Sequence, residues 1–200
     1  MKDNEDKDQD VQEPDLTGTY TARDYISWKT EELMELIRGK IFKTTPSPLW
    51  RHQEVLGELH VIFRRYVKSP CKVVLSPLDV YLIHPGENWK DTKNIVQPDL
   101  CIICDSEKIH RRGCMGAPDL AVEILSKGTA AKDLGPKRDL YEEYGVKELW
   151  IVHPIEGTIA LHILENGKHR ILPIFAKGQT LQSPTFRDLK IDLNEVFPEE

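Results

Sequence analysis

The sequence lacks any long hydrophobic run. A helix that spans a bilayer needs about 20 consecutive apolar residues, and no stretch of this chain has that character. The residues that follow Met1 are polar and acidic, whereas a signal peptide carries a basic start and then an apolar segment. We therefore expect neither membrane insertion nor export, and the predicted location is the cytoplasm.

Cysteine is scarce, with four residues at positions 71, 101, 104 and 114. Without an export signal, such cysteines are expected to be reduced thiols rather than a disulfide framework. The Cys101-x-x-Cys104 spacing resembles part of a zinc site. Side chains alternate along a strand, however, so these two cysteines would face opposite sides of it. The sequence therefore predicts buried thiols and no zinc.

An excess of basic residues is also absent. The net charge is −6, and residues 1–15 alone contribute −5 through seven acids and two lysines, which leaves about −1 for the rest. Nucleic-acid binding draws on Lys and Arg, so the composition alone does not favour it, although a nearly neutral domain can still carry a basic cleft. Residues 1–15 have no aromatic side chain and are predicted to form a disordered acidic tail. Residues 16–200 are predicted to form a single domain.

Hydrophobic spacing in residues 16–200 predicts an α/β fold. Apolar residues spaced by threes and fours predict a helix over residues 49–67. Helices are also predicted over residues 20–37, with Thr21 as N-cap, and over 130–144, where Gly145 ends the helix. Apolar runs rich in Val, Leu and Ile predict strands at 71–75, 78–83, 95–104, 120–125 and 148–153. Two hairpins are predicted, over 35–42 with a turn at Arg38-Gly39 and over 158–175 with a turn at Asn166-Gly167. This order predicts a mixed sheet with helices on its faces.

Two carboxylates interrupt apolar strands. Asp99 lies within the run 95–104, and Glu123 lies within the run 120–125. A buried, ionised carboxylate costs several kcal/mol unless it is paired or bound to a metal, and two of them on neighbouring strands would repel each other. A divalent cation between the two acids would remove this conflict, and Mg²⁺ favours carboxylate oxygens. For either acid alone, an edge position or a salt bridge is the alternative.

A basic helix follows the second acid. Lys137 lies in this helix, and Tyr141 and Tyr144 follow at i+4 and i+7, on the same face. If the helix packs on the strand that carries Glu123, Lys137 can reach the acids and stabilise charge on a scissile phosphate. A lysine that faces solvent is the alternative that the helix pattern leaves open.

These residues resemble a known motif. Pro98-Asp99, followed by Glu123 after 23 residues, resembles the PD-(D/E)XK nuclease superfamily, which continues with an acid, any residue and a lysine. Here Leu125 stands where that lysine is expected. The chain resembles one branch throughout, the Uma-type restriction endonuclease family, with Arg38 in the opening hairpin where an acid is more usual. The matching segments are Glu35–Gly39, Pro46–Pro48 with His52, Pro77–Val80, Gln97–Leu100, Ala117–Ser126, Lys137 with Tyr141, and Gly145–Val152.

This resemblance implies a restriction-endonuclease-like mixed sheet in which the lysine has moved to the following helix. It implies a Mg²⁺ site, in which Mn²⁺ is expected to substitute, formed by Asp99, Glu123 and the backbone carbonyl of Ile124. It makes Lys137 the catalytic base or an electrostatic partner. Two further contributors to the catalytic site are implied, namely Glu35 as an accessory acid and His52 as a polar contact.

The function implied is that of a Mg²⁺-dependent endonuclease, which hydrolyses phosphodiester bonds of DNA with metal-activated water. A homodimer is expected only by analogy with enzymes that cut two strands. A second hypothesis is a module of the same fold that binds nucleic acid or protein without catalysis, because the lysine after Glu123 is missing and the chain is acidic. A third hypothesis is a metal-dependent hydrolase of another phosphodiester or a nucleotide, since the fold does not select the substrate.

Overall fold

The computed structural model describes residues 14–28, 30, 32–43, 50–126 and 134–197. Most of the predicted acidic tail, the proline-rich segment 46–48 and the first part of the helix predicted over 130–144 lie outside these residues. In the described part of the chain, the helices are α1 Ala22–Tyr25, α2 Trp50–Tyr66, α3 Leu134–Tyr144 and α4 Leu193–Val196. None of them has both the length and the apolar composition that crossing a membrane requires.

Most of the described strands belong to two mixed sheets. The strands are β1 Met34–Ile37, β2 Lys40–Lys43, β3 Lys72–Leu75, β4 Val80–Tyr81, β5 Ile95–Val96, β6 Leu100–Ile103, β7 Ile109–His110, β8 Gly113–Met115, β9 Leu120–Ile124, β10 Glu148–His153, β11 Thr158–Glu165, β12 Lys168–Ile171, β13 Phe175–Ala176, β14 Thr180–Gln182 and β15 Lys190–Asp192. The first sheet has the order β2-β1-β5-β4-β8-β7. The central sheet has the order β12-β11-β10-β9-β6-β3, with β13 beside β11, and β14 and β15 pair separately.

Both faces of the central sheet are covered, as its apolar strands predict. On one face α2 and the C-terminal segment pack against alternate strand residues, and Phe63 meets the ring of Trp150 edge-on at 5.1 Å. On the other face α3 and the first sheet pack together around Ala121 and Leu140. Trp150 is fully buried and serves packing. The prediction of a mixed sheet flanked by helices is therefore confirmed.

The run predicted as one strand over residues 95–104 is divided between the two sheets. β5 pairs with β1 and β4 in the first sheet, whereas β6 pairs with β3 and β9 in the central sheet. The break falls at Gln97-Pro98-Asp99, where the proline has no N–H for a ladder hydrogen bond. This crossing leaves Gln97 at the end of one sheet and Asp99 at the start of the other.

The predicted helix over residues 20–37 is wrong for most of its length. Only α1 is helical there. Thr21 is its N-cap, and the backbone N–H of Thr21 donates to Asp24 Oδ2 at 2.8 Å. Residues 34–37 form β1 instead, because they can pair with β2 and with Ile95 of β5. The strand predicted over residues 78–83 is also shorter than expected, since only β4, Val80–Tyr81, is a strand there.

The predicted turns are confirmed. Arg38 and Gly39 have φ of 51° and 79°, and Asn166 and Gly167 have φ of 51° and 77°. Two consecutive positive φ angles are the conformation of a type I′ hairpin turn, whose twist suits the flanking strands. The predicted helices over 49–67 and 130–144 are present as α2 and, in its described part, α3.

The expectation of four reduced thiols is wrong, because Cys71 and Cys104 form a disulfide. The antiparallel register of β3 and β6 pairs Lys72 with Ile103, and its continuation places the two cysteines opposite each other. Cys101 and Cys114 are free and buried. Cys101 and Cys104 pack against different core clusters, on opposite faces of the strand, as their alternation predicts.

A buried carboxylate attaches the C-terminal segment to the central sheet. Glu148 in β10 is fully buried. It accepts hydrogen bonds from Trp150 Nε1 at 2.6 Å, from Ser183 Oγ at 2.8 Å and from the backbone N–H of Thr185 at 3.0 Å. This one side chain therefore satisfies three donors from two parts of the chain.

We expect Glu148→Ala to lower the free energy of unfolding by about 3 kcal/mol, because it leaves three donors without their acceptor. Urea unfolding measures this change. Glu165→Ala is the matched control: its side chain is 47% exposed, and its loss is expected to cost less than about 0.5 kcal/mol. Equal losses in the two variants would contradict this role for Glu148.

Candidate active site

Five side chains that the sequence singles out converge where the two sheets and two helices meet. Glu35 comes from β1, His52 from α2, Glu123 from β9 and Lys137 from α3, while Asp99 immediately precedes β6. Each is within 3.3 Å of another member of the group. Residues that are far apart in sequence therefore form one polar cluster.

The two strand acids lie opposite each other. β6 and β9 are antiparallel with Leu100 paired to Val122, so the register continued by one residue places Asp99 opposite Glu123. The backbone N–H of Ile124 donates to Asp99 Oδ2 at 2.7 Å. The two carboxylates accordingly belong to the same sheet face, as side chains of opposed residues do.

Lys137 fits between two acids. Its Nζ atom is 2.7 Å from Glu123 Oε1 and 2.9 Å from Glu35 Oε1. One turn further along α3, Leu140 and Tyr141 pack in the core below the first sheet, and this packing fixes the helix face that carries Lys137. The solvent-facing alternative for Lys137 is wrong, since its side chain is 9% exposed.

The cluster is electrostatically coupled. Burial alone would lower the pKa of the Lys137 ammonium, but the negative charges of Glu123 and Glu35 outweigh it and hold this pKa above its usual value. Burial raises the pKa of Glu123. The ammonium opposes this rise, and the charge of Asp99 adds to it. The positive charge of Lys137 therefore offsets part of the cost of keeping these acids ionised in a buried site.

Two further residues hold the acids, and the sequence pattern assigns neither of them to the site. The hydroxyl of Tyr141 donates to Glu123 Oε1 at 2.5 Å, and the backbone N–H of Gln97 donates to Glu35 Oε1 at 2.6 Å. The position of Tyr141 on the Lys137 face of the helix was the available signal. Nothing in the sequence indicates the contact of Gln97, because it depends on the pairing of β1 with β5.

His52 contacts the most exposed acid. Its Nε2 atom lies 3.3 Å from Asp99 Oδ1, and the Asp99 side chain is 21% exposed, compared with 8% for His52. Within the described part of the chain, His52 Nδ1 is buried and has no hydrogen-bond partner. Asp99 is thus oriented through both oxygens, by His52 and by Ile124, while it keeps access to solvent.

The donor set fits a magnesium-type ion. Both contacts of Glu123 fall on Oε1, which leaves Oε2 for another ligand. The N–H and C=O of a strand residue point to the same edge, so the carbonyl of Ile124 faces the side of Asp99. No cluster of three or more His, Cys, Asp or Glu side chains suited to a metal occurs in the described residues. Mg²⁺ does not need one, since it binds through one or two carboxylates and retains several waters.

We expect Tyr141→Phe to lower the free energy of unfolding by about 2 kcal/mol, because a hydrogen bond to a buried carboxylate is lost. Tyr66→Phe serves as the control, since Tyr66 is 41% exposed and its change is expected to stay within about 0.5 kcal/mol. Chemical denaturation of both variants measures the difference. A Tyr141→Phe protein as stable as wild type would show that the 2.5 Å contact contributes nothing.

Comparisons with known proteins add a family and a fold. The family model described as "Uma2: Putative restriction endonuclease" matches residues 22–194. A crystal structure of a "putative nuclease belonging to DUF820" from Anabaena variabilis ATCC 29413 superposes with a TM-score of 0.70. The matched region covers 89% of this chain and 97% of the Anabaena variabilis chain, and the two sequences are 18% identical. At this identity the likeness establishes the fold alone. A search among curated proteins found no match.

Proposed function

Because the chain belongs to the Uma2 restriction endonuclease family, we propose that it is a Mg²⁺-dependent endonuclease that hydrolyses phosphodiester bonds of DNA. One observation carries the proposal: two opposed strand acids, Asp99 and Glu123, share a buried cluster with the ammonium of Lys137, 2.7 Å from Glu123. Acids on one sheet face can hold a metal ion that activates water for phosphodiester hydrolysis, and a cation beside them can stabilise the charge that develops on the phosphate.

The metal would be held by Asp99, Glu123 and the carbonyl of Ile124. When bound, Mg²⁺ supplies a Lewis acid and a water of lowered pKa. Mn²⁺ has a similar preference for carboxylate and carbonyl oxygens and is expected to substitute. His52 holds the Asp99 carboxylate at 3.3 Å, and Tyr141 holds the Glu123 carboxylate at 2.5 Å.

Lys137 acts as an electrostatic partner in this proposal. The negative charges of Glu123 and Glu35, 2.7 and 2.9 Å from its Nζ atom, hold the pKa of Lys137 above its usual value, so the side chain is an ammonium and has no lone pair to take a proton. A fixed cation beside a reacting phosphate stabilises the negative charge that develops on the phosphoryl oxygens. Glu35 acts through Lys137, whose head group it holds at 2.9 Å.

The reacting phosphate approaches from the side of Asp99. Among the five clustered side chains, Asp99 is 21% exposed, whereas Glu35, His52, Glu123 and Lys137 are each 10% exposed or less. A phosphate diester can therefore meet this carboxylate before the others. The remaining groups are covered by protein, which strengthens their electrostatic interactions.

We expect Asp99→Ala to remove Mn²⁺ binding in a calorimetric titration and to abolish cleavage of DNA in Mg²⁺, while thermal unfolding shows an intact fold. Asp188→Ala is the control, because Asp188 is an exposed acid outside the cluster, and it should behave as wild type. An Asp99→Ala protein that cuts DNA at the wild-type rate would overturn the proposal. Wild-type protein that binds DNA but never cuts it would support the non-catalytic module instead.

We expect Lys137→Met to separate metal binding from chemistry. Removing a positive charge beside the acids should tighten Mn²⁺ binding by at least about tenfold, whereas the cleavage rate should fall by at least about a hundredfold. Lys190→Met, at an exposed position in β15, should change neither quantity. Retained cleavage in Lys137→Met would exclude the electrostatic role.

A further inference from the structure

A second polar feature, a cleft, lies beside the polar cluster of Glu35, His52, Asp99, Glu123 and Lys137, which is called the catalytic cluster below. Two adjoining hollows, of about 340 Å³ and about 470 Å³, form one cleft between the segment around α1 and β1 and the hairpin of β7 and β8. Volumes of this order hold small ligands in proteins. Both hollows are lined by Tyr25, Thr30, Glu32, Asp79, Arg111 and Arg112.

Asp79 is an incompletely satisfied acceptor in this cleft. Its Oδ1 accepts from Gln97 Nε2 at 2.8 Å and lies 3.1 Å from the hydroxyl of Tyr25. That hydroxyl has one proton and also lies 3.2 Å from the carbonyl of Met34. Asp79 Oδ2 has one long contact, at 3.3 Å to the hydroxyl of Tyr81. A carboxylate has about four acceptor positions, so Asp79 retains capacity for further donors.

Gln97 provides a second acceptor. Its orientation is fixed because Nε2 must face the carboxylate of Asp79, which only accepts. Its side-chain oxygen Oε1 is buried and, among the described residues, has no hydrogen-bond partner, and the whole residue is 9% exposed. A buried acceptor without a donor costs about 1–3 kcal/mol. Gln97 lines the larger hollow, so a donor that enters the cleft can relieve this cost.

Aromatic and basic side chains complete the cleft. Tyr25 and Trp28 line one wall, with ring centroids 5.6 Å apart. Arg111 and Arg112 are exposed at the turn between β7 and β8. The hairpin is held against Asp79 by a close backbone approach, since a Cβ at Gly113 would lie 2.0 Å from the carbonyl oxygen of Asp79. This contact places the turn that carries the two arginines at the rim of the cleft.

We propose that this cleft binds an unpaired guanine nucleotide of the strand that the catalytic cluster cuts. The N1–H and N2–H₂ donors of the base meet Asp79 and Gln97 Oε1, the ring packs on Tyr25 or Trp28, and Arg111 with Arg112 binds an adjacent phosphate. Flipped or single-stranded bases are read in this way, through their pairing edge and an aromatic wall. The inference rests on the proposed function, since it names a substrate feature of the same enzyme.

The acceptor pair selects guanine over the other bases. Guanine alone presents two adjacent donors on its pairing edge, whereas adenine has one donor beside an acceptor, cytosine has one donor followed by two acceptors, and thymine places one donor between two acceptors. A base that placed one of its acceptors opposite Asp79 or Gln97 would bring two acceptor atoms together, and these two atoms would repel each other. Arginine is suited to the phosphate because its planar fork matches phosphate oxygens.

Gln97 links this cleft to the catalytic cluster. Its side chain contacts Asp79, and its backbone N–H donates to Glu35, the acid that holds Lys137. Asp99 follows two residues later, which is about 7 Å along an extended chain. A base held in the cleft therefore lies close to the phosphates that reach Asp99.

The test is a calorimetric titration of the protein, in the absence of metal, with three probes. These are a single-stranded pentanucleotide with one guanine between thymines, the same strand with adenine in place of guanine, and deoxyguanosine monophosphate. The guanine strand is expected to bind at least about tenfold more tightly than the adenine strand. It should also bind more tightly than the mononucleotide, which offers fewer phosphates. Asp79→Asn should remove the preference for guanine, and the exposed control Asp188→Asn should retain it.

Arg112→Ala provides a variant that does not depend on the buried acceptors. It should weaken both strands to the same extent and reduce the salt dependence of binding, while Arg187→Ala, at an exposed position elsewhere, should not. Equal binding of the guanine and adenine strands by wild type would overturn the inference. So would a mononucleotide that binds as tightly as the guanine strand, or a preference that persists in Asp79→Asn.

Because these titrations contain no metal, their outcome is separate from that of the proposed function. A protein that prefers the guanine strand but cuts no nucleic acid in Mg²⁺ or Mn²⁺ supports the cleft and overturns the nuclease. A protein that cuts DNA but binds the two strands equally supports the nuclease and overturns the cleft.

Discussion

The buried ion pairs of Lys137 are the interaction on which the rest of the site depends. Its Nζ atom joins Glu123 of the central sheet to Glu35 of the first sheet, at 2.7 and 2.9 Å, from a third element, α3. Without this cation, two buried carboxylates would face each other with no counter-charge, a situation that costs several kcal/mol. The same contacts therefore position the groups that we propose to be catalytic and help to fix the packing of α3 and the two sheets. In the proposed enzyme, Lys137 therefore contributes to both stability and chemistry.

The crossing of the chain between the sheets is the second constraint. Gln97, Pro98 and Asp99 leave the first sheet and enter the central one, so consecutive residues take up different tasks. Gln97 contacts Glu35 through its backbone and Asp79 through its side chain, while Asp99 faces Glu123. A proline at the crossing prevents the ladder of either sheet from continuing through it. Three residues accordingly connect the acid that we propose to face the phosphate with the cleft that we propose to bind a base.

The sequence predicts those features that depend on local pattern. Carboxylates inside apolar runs identified Asp99 and Glu123, the amphipathic spacing identified α2, and the Arg38-Gly39 turn identified the first hairpin. The features that it does not predict depend on pairing between distant segments. β1 replaces a helix because β2 and β5 are available to pair with it. The disulfide of Cys71 with Cys104 requires the register of β3 and β6, and the roles of Asp79 and Gln97 require the hairpin of β7 and β8 to lie against them.

The missing lysine after Glu123 is explained by the same geometry. A lysine two residues after the acid would share its sheet face, because side chains alternate along a strand. At that position Leu125 packs instead against the core cluster that contains Leu140 and Tyr141 of α3. The apolar contact helps to hold the helix on the sheet, and the helix then brings Lys137 to within 2.7 Å of Glu123. In the proposed mechanism an ammonium must lie near the acids, whichever element carries it. This chain supplies it from the neighbouring helix and uses the strand position for packing.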